Sequence, residues 1–207
     1  MGFRKTLFKF FYKHCIDTFG EDTGSRIYEA AEHALAEMIN EADYKDSKAI
    51  EWHMRKNMLP TIAMYAAFRQ FEITCESAYD HTAEVLQIAC KKVQERNRFI
   101  GKMPFGYRLF QLFCRSFFEK QYPREGWDTQ WIKYDNEEIH LDITSCIYLE
   151  TTKKYHCPEL CPLFCANDEI TLAGYSPNIM FERSGTIGRG QAKCDFHFTN
   201  QKYKQRV

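Results

Sequence analysis

The chain has 207 residues and a mass of 24.6 kDa, with 28 Lys and Arg balancing 28 Asp and Glu. That length suffices for one substantial core, and the neutral balance leaves no basic field of the kind that binds nucleic acid. No stretch reaches the ~18 consecutive apolar residues of a membrane span, so no integral membrane association is expected. Nine cysteines are many, but the number is odd and the chain is too long to need disulfide staples. With no secretory signal at the start, the thiols point to a reducing, cytoplasmic setting. The 17 Phe and 12 Tyr suit a large core or an aromatic-lined pocket.

Residues 3–19 place Phe3, Leu7, Phe8, Phe11, Cys15 and Phe19 at helical intervals, and Gly20 can stop that helix. Residues 24–39 repeat the pattern. Asp46 or Ser47 can cap a third helix that runs to Pro60, where it breaks or kinks. Helix resumes through Met64 and Phe71, and Thr74 is a cap for a long helix through Val93. "GKMPFGYRL", residues 101–109, is a connector, followed by a helix over roughly 105–119.

Past Gly126 the period changes from helical to alternating. "TQWIKYD" and "EEIHLDIT" read as two strands joined near Asn136. Ile139, Leu141 and Ile143 share one face; His140, Asp142 and Thr144 share the other. Residues 145–155 read as a helix, and a second short helix begins at Pro162. Strands follow over 178–183 and 191–199, with "GTIGRG" between them as a hairpin-type connection rather than a phosphate cradle. The expected class is α+β: an amino-terminal helical layer on a small, mainly antiparallel sheet with additional helices. One domain is expected, with a mainly helical part over 1–121, a sheet-containing part over 122–200 and a polar tail over 201–207. Residues 1–45 read as a lid, an added packing layer or a homodimer surface.

"HCPELCPLFCAND", residues 156–168, is the most chemically loaded stretch. Cys157, Cys161 and Cys165 are spaced CxxxCxxxC, wider than zinc knuckles favour. With Pro162 starting a helix, Cys161 and Cys165 can touch a common point, and Cys194, Cys146 or His156 can complete a zinc site. Packing thiols are the plain alternative. In a catalytic reading, Cys165 lies early in the helix, where its pKa can fall, and Asp168 shares its face. A carboxylate alone raises a thiol pKa, so a cation such as Arg183, His140 or His197 is required. Cys194 alternates with Phe196 and Phe198 toward the apolar face, while Asp195 points away and can anchor Arg183. His33, His53 and His81 lie scattered in helical stretches and read as satisfied polar residues, with a cleft between helices as the alternative setting for His53 and His81.

The carboxy-terminal half resembles the L-2-amino-thiazoline-4-carboxylic acid hydrolase family. The matching residues are Cys146 and Tyr148, Pro158-Glu159-Leu160, Phe164-Cys165 with Asp168, Phe181 and Arg183 with Thr186, and Gly190 with Cys194-Asp195-Phe196; the likeness covers roughly residues 50–200. It implies a hydrolase that opens a small cyclic amidine, 2-amino-thiazoline-4-carboxylate or a relative, to an N-carbamoyl amino acid. Cys165, Asp168 and Cys194 are the implied catalytic centre, and Arg183, Cys146, His140 and Asp195 the substrate-binding set. Either Cys165 attacks directly or Asp168 activates water; no cofactor is required unless zinc joins the cysteines. Cys157 and Cys161 fall outside the family pattern. The chain also resembles vinyl-reductase-type ligand-binding domains, which implies a small-molecule pocket without turnover. The enzyme reading requires the helix after Pro162 and the last strand to converge on one cavity.

Overall fold

A computed structural model describes residues 2–71 and 73–204. Contacts divide the chain into two compact units, Met1–Ala89 and Cys90–Val207, so the division falls inside a long helix, α5 (Cys75–Lys102). The composition break near residue 122 marks something else, the passage from helices to strands.

The first unit is helical: α1 (Phe11–Phe19), α2 (Glu21–Glu41), α3 (Lys48–His53), α4 (Leu59–Gln70) and the start of α5. Gly20 separates α1 from α2 with φ of 78°, a left-handed conformation that glycine adopts without a Cβ penalty. Ser47 caps α3 by accepting a hydrogen bond from the Ile50 amide at 3.4 Å. At the proline the helix does not stop. Met54–Met58 widen into a π turn, and α4 follows with Pro60 in its first turn, where a missing N–H costs least. Phe8, Phe11, Ile27, Leu35, Met58 and Phe68 are fully buried and make the core of this unit. The Thr74 hydroxyl accepts from the Ser77 amide at 3.2 Å and caps α5.

The second unit holds the end of α5, then α6 (Gly106–Gln121), β1 (Thr129–Tyr134), β2 (Glu138–Ile143), α7 (Ile147–Lys154), α8 (Cys161–Leu172), β3 (Ile179–Glu182), β4 (Cys194–Asn200) and α9 (Gln201–Lys204). The strands form one antiparallel sheet in the order β1-β2-β4-β3. The fold is therefore α+β. The tail expected over 201–207 begins as α9; residues 205–207 lie outside the described residues. No helix among the described residues is long and apolar enough to cross a membrane.

The alternation read from the sequence fixes the register. Ile139, Leu141 and Ile143 pair with Phe198, Phe196 and Cys194 on one face; His140 and Asp142 pair with His197 and Asp195 on the other. The apolar face packs against α6 through Phe118 on Phe196 (6.0 Å between rings) and Phe110 on Phe198 (4.9 Å). α7 and α8 meet through Tyr148 and Phe164, 4.8 Å apart. A register slip between Trp131 and Lys133 leaves Ile132 exposed on the edge strand.

Candidate active site

Two residues decide where α8 starts. Pro158 opens a single 3-10 turn, and Pro162 occupies the first turn of α8, where its fixed φ suits helix entry. Cys161 and Cys165 then stand one turn apart on one face. Facing them is the turn Ile187–Arg189 from the glycine-rich connection between β3 and β4. A Cβ built on Gly188 would lie 2.8 Å from Cys165 Sγ and 2.9 Å from Cys161 Sγ, so only glycine lets this backbone come so close to both sulfurs. Thr186 caps the turn by accepting from the Arg189 amide at 3.2 Å, and Gly190 ends it with φ of 87°.

That turn joins the two thiols that the sequence brings into question. Cys194 Sγ accepts a hydrogen bond from the Ile187 amide at 3.2 Å. Cys165 accepts from Cys161, from the Thr186 hydroxyl and from the Gly188 amide. Helix α8 and strand β4 thus converge, but on a packed turn rather than on an open space: Cys165 is 7% exposed and Cys194 6%.

The thiols differ in character. The hydrogen bond from Cys161 pulls the Cys165 pKa down against burial, and the Thr186 hydroxyl, the Arg183 charge and the Gly188 amide act in the same direction. Cys161 is correspondingly held as the protonated donor, its pKa raised by its bonds to Cys146 and Cys165. Cys146 is also lowered by Cys161, although burial opposes this. A thiol has one proton, so Cys161 serves one neighbour at a time; Cys165 has three further stabilising groups and is the better thiolate. Burial pushes Cys194 up to about 12 and keeps it a neutral thiol.

Arg183 follows directly on β3, and its side chain is 2% exposed. Its guanidinium donates to the Cys165 carbonyl at 2.6 Å, to Glu169 at 3.0 Å and to Asp168 at 3.3 Å, and lies over the rings of Phe196 and Phe181 at 5.2 and 5.6 Å. The expected pairing of Arg183 with Asp195 is not formed. Asp195 instead accepts from the Ser184 amide and hydroxyl and from the Gly185 amide at 2.9–3.1 Å, because it points to the opposite face of the sheet. Arg183 therefore binds the apolar face of the sheet to α8.

Asp168 keeps 39% of its side-chain exposure. That exposure is to a cavity of about 430 Å³ whose wall includes Phe110, Phe113, Phe117, Phe118, Phe196 and Phe198. Asp168, Arg96, Asn97 and Tyr122 bring polar groups to the same wall. Facing ring carbons rather than bulk water, the Asp168 carboxyl is pushed up to about 7 by desolvation, in spite of Arg183. Neither Cys165 nor Cys194 forms part of this wall. A second, small pocket of about 90 Å³ lies on the turn side, lined by Glu169, Arg183, Thr186 and Arg189 among others.

Of the sequence-derived site residues, Cys165, Asp168, Cys194, Arg183 and Cys146 gather around α8 and the 186–190 turn. His140 and Asp195 do not. His140 lies on the far face of the sheet, 3.3 Å from Asp142 and with its ring tilted against that of His197, centroids 5.2 Å apart. Sequence reasoning places Cys161 only in a candidate zinc site and Thr186 only among the family-matching residues, and gives Gly188 no role. The one-turn spacing of Cys161 and Cys165 was visible; the approach of the glycine-rich turn was not. It also missed Arg96 and Asn97, which nothing in their helical surroundings distinguishes.

These features define an α+β protein with a buried thiol cluster bound by one arginine to a carboxyl that faces an aromatic cavity. The chain belongs to the L-2-amino-thiazoline-4-carboxylic acid hydrolase family, whose model matches residues 51–198. No curated protein and no solved structure matches it.

Proposed function

We propose that the protein is a hydrolase that opens a small cyclic amidine of the 2-amino-thiazoline-4-carboxylate kind to an N-carbamoyl amino acid, with Cys165 as nucleophile and Asp168 as proton carrier. The observation that carries this reading is the shared cation. Arg183 donates both to the backbone of Cys165 and to the carboxyl of Asp168, so a thiol inclined to ionise and a carboxyl titrating near neutrality are held one helical turn apart. The family membership supports the reaction type.

The chemistry runs in two balanced steps. The Cys165 thiolate adds to the amidine carbon, the ring C–S bond breaks, and protonated Asp168 gives its proton to the departing sulfur. Water then adds to the same carbon as the ionised Asp168 takes its proton, and the bond to Cys165 breaks, releasing the carbamoyl product and the thiolate. One water is consumed and the enzyme is restored. Arg183 is already committed to α8, so the substrate carboxylate falls to Arg96 at the cavity wall. Passage from the cavity to Cys165 requires the 186–190 turn or its neighbours to yield. The test is turnover of 2-amino-thiazoline-4-carboxylate, followed as release of free thiol. Cys165→Ala is expected to reduce it to the background rate. Wild-type rates in that variant exclude the covalent route, and no turnover of any cyclic amidine or amide by folded wild type defeats the enzyme reading.

One observation favours a second reading, a binding domain without turnover: the large cavity is walled mainly by aromatic rings, and the thiols lie outside it. In that case an apolar ligand binds saturably in the cavity, Cys165→Ala leaves its affinity unchanged, and no product forms.

A further inference from the structure

The first unit contains a group of side chains that the proposed chemistry does not use. One ligand atom each from His14, His81 and Glu84 lies within 4.8 Å of the others. His14 comes from α1. His81 and Glu84 stand three residues apart on α5 and share one face of that helix. Among the described residues this is the grouping of three or more His, Cys, Asp or Glu at such spacing, and it includes no cysteine.

A second observation points to a ligand. His14 is 9% exposed, and its Nε2 is buried without a hydrogen-bond partner. Buried ring nitrogens are ordinarily satisfied, so a bare one on a ring grouped with a second imidazole and a carboxylate is an acceptor open to a Lewis acid. The surroundings orient the set. The His81 ring packs on Phe19 at 4.9 Å and on Phe68 at 5.5 Å, which fixes its plane. Glu84 is exposed and free to swing inward. Asp17, one turn beyond His14, is held by Lys13 at 2.5 Å.

We propose that His14, His81 and Glu84 form a binding site for a divalent transition-metal ion of the zinc class. Two imidazoles and one carboxylate suit zinc, cobalt or nickel. Magnesium and calcium prefer all-oxygen shells, and copper(I) prefers sulfur. In a tetrahedron with bonds of about 2.0–2.1 Å the donors stand about 3.3 Å apart, so the side chains must close by roughly 1.5 Å at most, a movement within reach of Glu84 and small ring rotations. Three protein donors leave a position for water or an exogenous ligand. His14 precedes the family-matched segment and none of the three belongs to the thiol site, so this proposal stands or falls independently of the hydrolase reading.

Cobalt(II) chloride titrated into the chelator-treated full chain tests it. The expected result is one equivalent of cobalt with visible ligand-field absorption and no thiolate-to-metal charge-transfer band. The melting temperature should rise by roughly 5–10 °C at a hundredfold excess over Kd. Cys161→Ser with Cys165→Ser should leave both signals intact. Glu84→Gln, an exposed change that leaves the fold alone, should weaken binding roughly tenfold or more, and His81→Asn should abolish it. The proposal is overturned by any of three results: no cobalt signal in folded wild type, a thiolate band that disappears in the cysteine variant, or unchanged affinity in Glu84→Gln and His81→Asn.

Discussion

The two faces of the β2–β4 pair hold their charged and reactive groups in opposite ways, the polar face on its own strands and the apolar face on the segments packed against it. On the polar face every acid has its partner close by. Glu138 is 2.7 Å from His197 and 3.0 Å from Lys133, Asp142 is 2.6 Å from Lys193, and Asp195 is held by the amides of Ser184 and Gly185. Asp142 and Asp195 face each other across the ladder, a placement that repels unless each carboxylate has its own counterpart. Each does, and the result is a latch. On the apolar face Arg183 serves two carboxyls and a carbonyl, Glu169 alone having a second cation in Arg189, and one thiol proton serves two sulfurs. There Arg183 and the Cys161 proton are shared, and Asp168 and Cys165 shift toward neutrality while Cys161 is pushed up. Dedicated pairing builds structure; shared pairing leaves groups able to exchange protons.

The sharpest way to break this comparison is at Asp168. Asp168→Asn should lower turnover by roughly 10²–10⁴-fold, the usual span for a lost acid–base group. The pH profile carries the signature. Since Asp168 is pushed up to about 7, the step that protonates the departing sulfur fails as pH rises through that value. The alkaline limb near 7 should vanish in the variant. A limb that persists assigns the proton transfer elsewhere.

Arg183 comes next, because it is the shared element. Arg183→Met removes the cation from Asp168 and the Cys165 carbonyl, and one of the two cations that hold Glu169, which keeps Arg189 at 3.2 Å. Breaking a fully buried pair costs about 3–5 kcal/mol; Asp168 faces the aromatic cavity, while Glu169 is 42% exposed and keeps Arg189, so about 3 kcal/mol is expected by urea denaturation. Turnover should fall further than stability does, since the Cys165 thiolate also loses the Arg183 charge. A variant with normal activity and reduced stability would make Arg183 a strut only.

Gly188→Ala probes the turn over the thiols. The added methyl would meet Sγ of Cys165 and Cys161 at 2.8 and 2.9 Å, and the Cys161 backbone at 3.3 Å. Overpacking of this kind costs about 1–3 kcal/mol. The rate of thiol alkylation should change as the turn shifts. An unaltered stability and alkylation rate would mean that the close approach is relaxed in solution.

The sequence made the fold class, the strand register and the start of α8 legible, because each rests on a local signal. Alternation of Ile139, Leu141 and Ile143 sets the face, and Pro162 sets the helix start. The helical spacing of Cys165 and Asp168 likewise placed them on one side of α8. What stayed hidden depends on contacts between distant segments. Asp195 follows Cys194 in sequence, and adjacency suggested a common site, yet on a strand adjacency means opposite faces. His140 was drawn in for its chemistry and lies on the latch side for the same reason. His81 looked satisfied within its helix, and only the packing of α1 reveals the bare nitrogen of His14 beside it.

The smallest expected effect lies on the latch itself. Asp195→Asn keeps the shape but replaces a carboxylate that accepts from two amides and a hydroxyl. Burial opposes its ionisation, yet the amides of Ser184 and Gly185 outweigh that and hold the carboxyl below its ordinary range. A depressed folded-state pKa adds stability above the unfolded value and loses it as pH falls through the folded one. The variant should therefore be weaker than wild type by about 1 kcal/mol at neutral pH, and the two should converge in acid, below pH ~4. Turnover should stay within about twofold, because nothing on this face touches Cys165 or Asp168. A large loss of turnover with normal stability would return Asp195 to the substrate-binding set and dissolve the distinction between the faces.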